Sequence, residues 1–307
     1  MILIGIGVHP EVTLAKRAGL EIGERGGIKV DRTLKTSHPD IYAVGDAIEV
    51  VDYINGNPAL IPLAGPANKQ GRIAANNICG ISEEYKGTQG TSILKVFDMA
   101  VAATGNNEKL LKRCNVPYEK SFTHSSSHAG YYPEALPLSV KLLFSPDSGK
   151  ILGTQIVGYD GVDKRIDVIA TAIRAGMTVY DLEKLELAYA PPYSSAKDPV
   201  NMAGYVASNI LKGDSVIIHW HDIEKLDQEK TVLIDVRTPE EYSLGTIGGA
   251  KNIPVDELRN RLSEIPQDRE IIIFCQVGLR GYIACRILRQ KGYKKVKNLS
   301  GGYKTYF

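Results

Sequence analysis

The sequence runs to 307 residues, room for about two domains of ordinary size. With 43% hydrophobic and 23% charged residues, and 37 basic side chains against 35 acidic, it excludes a disordered chain and offers no charge excess to call for nucleic acid. Charge-free runs stay short of the roughly 18 residues that a membrane-spanning helix needs. Met1–Val8 lacks the basic flank and cleavage site of a signal peptide. The expectation is a soluble, cytoplasmic protein with neither a membrane nor a nucleic-acid partner. The four cysteines, Cys79, Cys114, Cys275 and Cys285, are too scattered for a disulfide framework or a CxxC metal site, so no metal is expected.

The chain opens on Met1-Ile-Leu-Ile-Gly-Ile-Gly-Val8, which reads as a buried strand without lead-in and suggests a fragment. Gly5 and Gly7 begin a G-x-G, but Pro10 stands where a dinucleotide fingerprint needs its third glycine. Gly26-Gly27 predicts a turn and Ile28 to Asp31 a short strand. Ile41 to Val44 predicts a strand that stops at Gly45-Asp46. That pair is either a plain turn or a place where backbone approaches a ligand and a carboxylate accepts from its hydroxyls. Pro66 suits a first helical position, and Ala67 to Ile78 has helix-forming composition, so the helix start would offer free N–H groups to an anion.

The run Val44-Gly-Asp-Ala-Ile-Glu49 with Asn55 to Arg72 resembles the carboxyl-terminal part of the FAD-binding domain of pyridine nucleotide-disulfide oxidoreductases, in particular coenzyme A-disulfide reductases fused to a rhodanese domain. The resemblance implies FAD contacts at Thr36, Gly45, Asp46 and Ala64, with Asp46 on the ribityl chain. It implies a coenzyme A contact at Asn68.

In the middle third, Leu94 to Phe97, Ser139 to Phe144 and Ile151 to Val157 predict an antiparallel sheet, with Asp147-Ser-Gly149 turning between the last two. Helices are predicted over Asp163 to Ala175, stopped at Gly176, and from an Asp198 N-cap and Pro199 to near Lys212-Gly213. Val96 to Gly105 resembles the family's dimerisation domain, which implies a homodimer. Tyrosines beside prolines in His128 to Pro133 and Tyr189 to Pro199 either pack with an edge in water or supply a proton to a departing thiolate. The resemblance implies that Tyr131, with Tyr132 as the alternative, and Tyr189 serve the partner's flavin and substrate site, and that Lys197 contacts coenzyme A.

From Ser215 the pattern becomes strand, helix, strand: Thr231 to Val236, Pro239 to Tyr242, Glu270 to Cys275, Gly278 to Lys291, Lys295 to Leu299. Cys275 ends a buried strand and opens a loop, Gln276, Val277, Gly278 and Leu279, that leads into a helix and is expected to contact the sulfur substrate. Loop amides and the helix dipole favour the thiolate there, Gly278 lets the loop curl, and Arg280 adds a permanent cation. The segment predicts a sulfur deprotonated and open to attack, whereas Cys285 reads as core. Arg237 to Ser243, Gly248 to Pro254 and Asn298 to Tyr303 resemble rhodanese signatures, with Thr246 where many rhodaneses carry histidine. Four residues separate Cys275 from Arg280, one fewer than in cysteine phosphatases.

The expected architecture is multidomain, α/β and α+β: the end of an FAD/NAD-binding region over 1–88, an α+β dimerisation domain over 89–213, and a small α/β rhodanese domain with a parallel sheet over 214–307. The resemblance implies a flavin-dependent reductase of coenzyme A disulfide, coenzyme A persulfide or polysulfide, using NADH or NADPH. Neither dinucleotide fingerprint nor the redox cysteine stands in this sequence. The chemistry expected of the chain is therefore rhodanese sulfur transfer through Cys275, with thiosulfate among the donors. The alternative is a dimerising scaffold without catalysis.

Overall fold

Strands of the computed structural model, which describes Ile2 and residues 5–307, fall into three sheets. The chain forms two units, one of Met1–Ser92 with Thr104–Asn106, the other of Ile93–Ala103 with Asn107–Phe307.

In the first unit, strand Ile28–Lys29 pairs in parallel with Ile48–Val51, which pairs antiparallel with Pro58–Ala59. Helix Ala64–Ile78 buries Ile73 and Ala74 against Leu34, Ile48 and Val50. Several expectations change here. Ile41 to Val44 is not a strand, because its backbone finds a single bridge, Tyr42 to Lys35. Gly45-Asp46 therefore sits in a 3-10 turn, Gly45–Ala47, that precedes a strand rather than ending one. The helix starts at Ala64, so Pro66 lies inside its first turn and supplies no N–H. The strand expected at the amino terminus lies partly outside the described residues, and Gly5 to Val8 are exposed and not in a strand.

Two further sheets lie in the second unit, apart from Ser92 and residues 104–105 of one, which belong to the first unit. One has the order Ser92–Val96, Met99–Gly105, Ile151–Gly158, Pro137–Phe144, Glu119–Ser126, its last two pairings antiparallel. Met99–Gly105 and Glu119–Ser126 were not foreseen. Helix Val162–Arg174 packs on Ile151–Gly158, and helix Pro199–Leu211 on Glu119–Ser126 and Pro137–Phe144. Both helices start and stop within a residue of expectation: Asp198 accepts from Val200 N–H as N-cap, and Gly176 and Gly213 take the left-handed conformation just past the ends.

The other sheet is parallel throughout, in the order Lys251–Asn252, Thr231–Asp235, Glu270–Phe274, Val296–Leu299, Ile217–Ile218. Its central strand is apolar on both faces, as a sheet covered on both sides requires. Ile271, Ile273 and Cys275 join Ala284, Cys285 and Leu288 of helix Leu279–Gln290, while Ile272 and Phe274 join Leu299 and Ile218 on the opposite side. The alternation thus points the Cys275 side chain to the face on which that helix packs. None of the described helices is long and apolar enough to cross a membrane.

Candidate active site

Cys275 follows the last residue of its strand, and the chain curls through Gln276 and Val277 to Gly278, whose φ of +103° only glycine adopts without strain. That twist aims the Gly278 N–H back at the Cys275 Sγ, 3.1 Å away. The loop is pinned from behind by the final turn of the chain. Tyr303 and Lys304 N–H donate to the carbonyls of Cys275 and Gln276 at 2.8 and 3.0 Å, and Asn298 Nδ2 donates to the Gly278 carbonyl at 3.1 Å. One consequence departs from the sequence reading. Cys275 is only 1% exposed, so the loop closes over a sulfur that was expected to stand open.

The cation beside that sulfur is itself clamped. Arg280 donates both terminal nitrogens to Glu241, at 2.6 and 2.7 Å, and the pair holds the Glu241 carboxyl down at about 2. The guanidinium is in turn held in its charged form by Glu241 and, less strongly, by the Cys275 sulfur. A second arginine works one layer deeper. Arg237, buried on Asp235 at 2.7 Å, donates to Gln276 Oε1 at 3.1 Å and lies 4.4 Å from the centre of the Tyr303 ring. Thr246 fills the place of the usual histidine by donating to Asp235 Oδ2 at 2.9 Å, which completes that carboxylate's shell. Glu241, Arg237 and Asn298 stand in the rhodanese-like signatures but had been given no role, and Asp235 had not been singled out. Glu241 had a visible signal, since Thr238 and Glu241 form a capping box, but its second duty toward Arg280 was not legible. Cys285, beneath the same loop, is pushed up to about 12 by burial and stays a neutral thiol.

Beside the loop lies a cavity of about 270 Å³. Val277, Gly278 and Leu279 form one wall, Met202, Tyr205 and Val206 of helix Pro199–Leu211 another, and Lys197 reaches it from the segment before that helix. The structure therefore brings together Lys197 and three of the four loop residues that the sequence proposed as substrate contacts. Cys275, Gln276 and both candidate tyrosines are not part of the lining.

Tyr131 and Tyr189 meet each other instead, hydroxyl to hydroxyl at 2.8 Å, at 76% and 48% exposure. The shared bond raises the Tyr189 phenol above its ordinary value. Tyr132 packs edge-on against His128, 5.7 Å between ring centres, and takes no part in the pair.

Thr36, Gly45, Asp46, Ala64 and Asn68 all belong to the first unit. Gly45, at φ +79°, donates its N–H to Gln70 Oε1 at 2.7 Å, so this buried glutamine fixes the turn against the helix and leaves the Asp46 carboxylate exposed. Gln70 was missed because a glutamine inside a helix carries no signal of its own. The Thr36 hydroxyl donates to the Ile41 carbonyl at 2.9 Å and braces its own loop, and Asn68 Nδ2 donates to Ala64 O at 2.9 Å. The described residues contain no cluster of His, Cys, Asp and Glu suited to a metal.

Comparison with known proteins matches this architecture piece by piece. Residues 1–71 fit the pyridine nucleotide-disulphide oxidoreductase model, 91–199 the dimerisation domain of the same enzymes, and 222–307 the rhodanese-like domain. The crystal structure of reduced Bacillus anthracis CoADR-RHD superposes with a TM-score of 0.96 at 59% identity, covering 98% of this chain and 54% of that one. An NAD-dependent persulfide reductase from A. fulgidus gives 0.90 at 42% identity, with the same coverage. The coenzyme A disulfide reductase of Staphylococcus epidermidis is 39% identical over 209 residues, 67% of this chain and 47% of that protein. The chain thus spans about half the length of these relatives. Two adjoining models of one enzyme group, followed by a rhodanese-like domain over a stretch that both structural relatives also cover, place the chain in the pyridine nucleotide-disulphide oxidoreductase family, in the branch that bears a rhodanese-like domain.

Proposed function

We propose that the chain transfers sulfur through a persulfide on Cys275 and is part of a flavin-dependent reductase of coenzyme A disulfide, coenzyme A persulfide or polysulfide that draws hydride from NADH or NADPH. The observation that carries this reading is the Cys275 sulfur held at 3.1 Å by the Gly278 amide, with the Arg280–Glu241 clamp beside it. In the transfer step the Cys275 thiolate attacks the outer sulfur of a donor persulfide. A new S–S bond forms on Cys275, and the donor leaves as its thiolate. An acceptor thiolate then attacks the outer sulfur of Cys275 persulfide, carries it away and restores the Cys275 thiolate. No net oxidation occurs. Because the cysteine is buried, a donor must present its terminal sulfur end-on beneath the loop; this favours a linear persulfide or polysulfide over a bulky disulfide. Lys197, across the adjoining cavity, suits the phosphates of a coenzyme A donor.

Asp46 and the amino end of helix Ala64–Ile78 fit the hydroxylated chain and phosphate of FAD. The carboxylate is exposed, and a side chain at Gly65 would meet open space. Bound FAD would carry hydride chemistry. Tyr131 and Tyr189 would donate a proton to the thiolate that leaves a coenzyme A disulfide, in the partner subunit of a homodimer built on the 89–213 domain. Sulfurtransferase assays with thiosulfate and polysulfide, on the chain and on Cys275→Ser, test the central step. Turnover with a Cys275 peptide one sulfur atom heavier by mass spectrometry supports it. Equal, negligible turnover in both proteins would leave a dimerising scaffold. Flavin absorbance of the purified chain tests the Asp46 site separately.

A further inference from the structure

Helix Val162–Arg174 carries a residue that its amphipathic pattern does not explain. Arg165 is 1% exposed and faces inward among Ile166, Ile169 and Ile173. A buried guanidinium is costly unless its donors are used, and here all three nitrogens find oxygen. Nε and Nη2 reach Asp198 Oδ2 at 3.2 and 3.0 Å; Nη2 also reaches the Ser127 carbonyl at 2.8 Å and Ser194 Oγ at 3.2 Å; Nη1 reaches the Gly161 carbonyl at 3.2 Å. Ser194 Oγ closes the ring by donating to Asp198 at 2.6 Å.

Apart from Gly161, which caps Arg165's own helix, these partners come from two separate loops. Ser127 begins the segment that carries Tyr131, and Ser194 with Asp198 belongs to the segment that carries Tyr189 and Lys197. A backbone bond from Ala129 N–H to the Ser194 carbonyl, 3.0 Å, stitches the same two loops beside the guanidinium. The hydroxyl pair at 2.8 Å lies at their exposed tips. Exposed tyrosines on two loops meet in one geometry only if something buried fixes the loops' roots.

We propose that Arg165 is a positioning residue for the Tyr131–Tyr189 pair, one guanidinium setting the spacing of two loops whose tips hold the hydroxyls together. This rests on the reading of that pair as the proton source, and its test is independent of turnover. Lysine at 165 keeps the charge but cannot span Ser127, Ser194, Asp198 and Gly161 at once.

The experiment is NMR of tyrosine isotope-labelled at Cζ, in the intact chain, followed through alkaline titration with folding checked by circular dichroism. In the parent protein Tyr189 titrates above an ordinary phenol. Tyr131→Phe returns it toward the ordinary range, and Arg165→Lys does the same although both tyrosines remain. Tyr193, 73% exposed on the same loop and outside the pair, serves as the unmoved control. An Arg165→Lys protein that folds and titrates like the parent overturns the proposal while leaving the pair intact. If Tyr131→Phe leaves Tyr189 unmoved, no pair exists in solution, and the proton-donor reading fails together with the proposal. Should Arg165→Lys fail to fold, Ser194→Ala decides. It removes the hydroxyl between guanidinium and carboxylate but spares both charges, and a smaller shift of the same sign is expected; parent-like titration there overturns the proposal.

Discussion

Replacing Glu241 by glutamine isolates the clamp on the sulfur loop. Glutamine keeps an oxygen for the Thr238 N–H, now accepted at 3.0 Å, so the helix start survives while the ion pair to Arg280 is lost. At face value, holding a carboxyl at about 2 instead of 4.5 corresponds to about 3 kcal/mol. Both side chains are about one-third exposed, at 33% and 32%, so solvent screening reduces this to about 1 kcal/mol. The depressed carboxyl fixes the sign: the clamp contributes fully above about pH 4.5 and is lost as pH falls toward 2. Urea unfolding should therefore show the Glu241→Gln protein about 1 kcal/mol less stable at pH 7, with the gap shrinking by pH 3. Because Cys275 is buried under the same loop, its alkylation by iodoacetamide reports loop opening. A loss of about 1 kcal/mol from the closed form raises that rate about fivefold at pH 7, read peptide by peptide so that exposed Cys79 does not interfere. A stability gap that stays constant from pH 7 to 3, or a Cys275 alkylation rate equal to the parent's, would refute the reasoning.

A methyl group at Gly302 would overlap the Cys275 carbonyl oxygen, and the residue's φ is +62°, so Gly302→Ala should cost about 3 kcal/mol or more and abolish Cys275 persulfidation in the mass-spectrometric assay. Thr246→Val removes one hydrogen bond to Asp235 and should cost about 1 kcal/mol in chemical denaturation while leaving sulfur-transfer rates within about twofold. Burial pulls the His124 imidazole down to about 4 from 6.5, so the unfolded chain takes up this proton first. Stability tied to His124 is complete above about pH 6.5 and falls by as much as about 3 kcal/mol toward pH 4; denaturation of His124→Gln should lack that component of the slope.

Legibility in the sequence tracked the length of each apolar run. Ile271 to Phe274 is continuous and followed by a glycine loop, so strand, loop and helix were placed within a residue. Strand Glu119–Ser126 escaped because its residues, Glu-Lys-Ser-Phe-Thr-His-Ser-Ser, have no alternation; eight paired positions along Pro137–Phe144 make it a strand. In the first unit the strands span two to four residues, too few for any period to emerge, and Ile41 to Val44 was misread for that reason. At the candidate site, Cys275, Arg280 and Gly278 were visible because they are contiguous. The burial of Cys275 was not, since it depends on Gly302 and Tyr303 returning from more than a full helix away. The meeting of Lys197 with Val277 to Leu279 likewise comes from packing between distant segments.

The closing turn touches the sulfur loop on one side and the neighbouring sheet on the other. Tyr303 and Lys304 hold the Cys275 and Gln276 carbonyls, while Ser300 Oγ accepts from Phe122 N–H at 3.3 Å and the Thr305 hydroxyl meets His124 Nε2 at 2.7 Å. Grafting the last ninety or so residues onto another host, or expressing them alone, would sever half of that brace at the same stroke. A rhodanese-like domain of this lineage is thus less portable than its tidy sequence boundary suggests, and chimeras should carry the Glu119–Ser126 strand along with it.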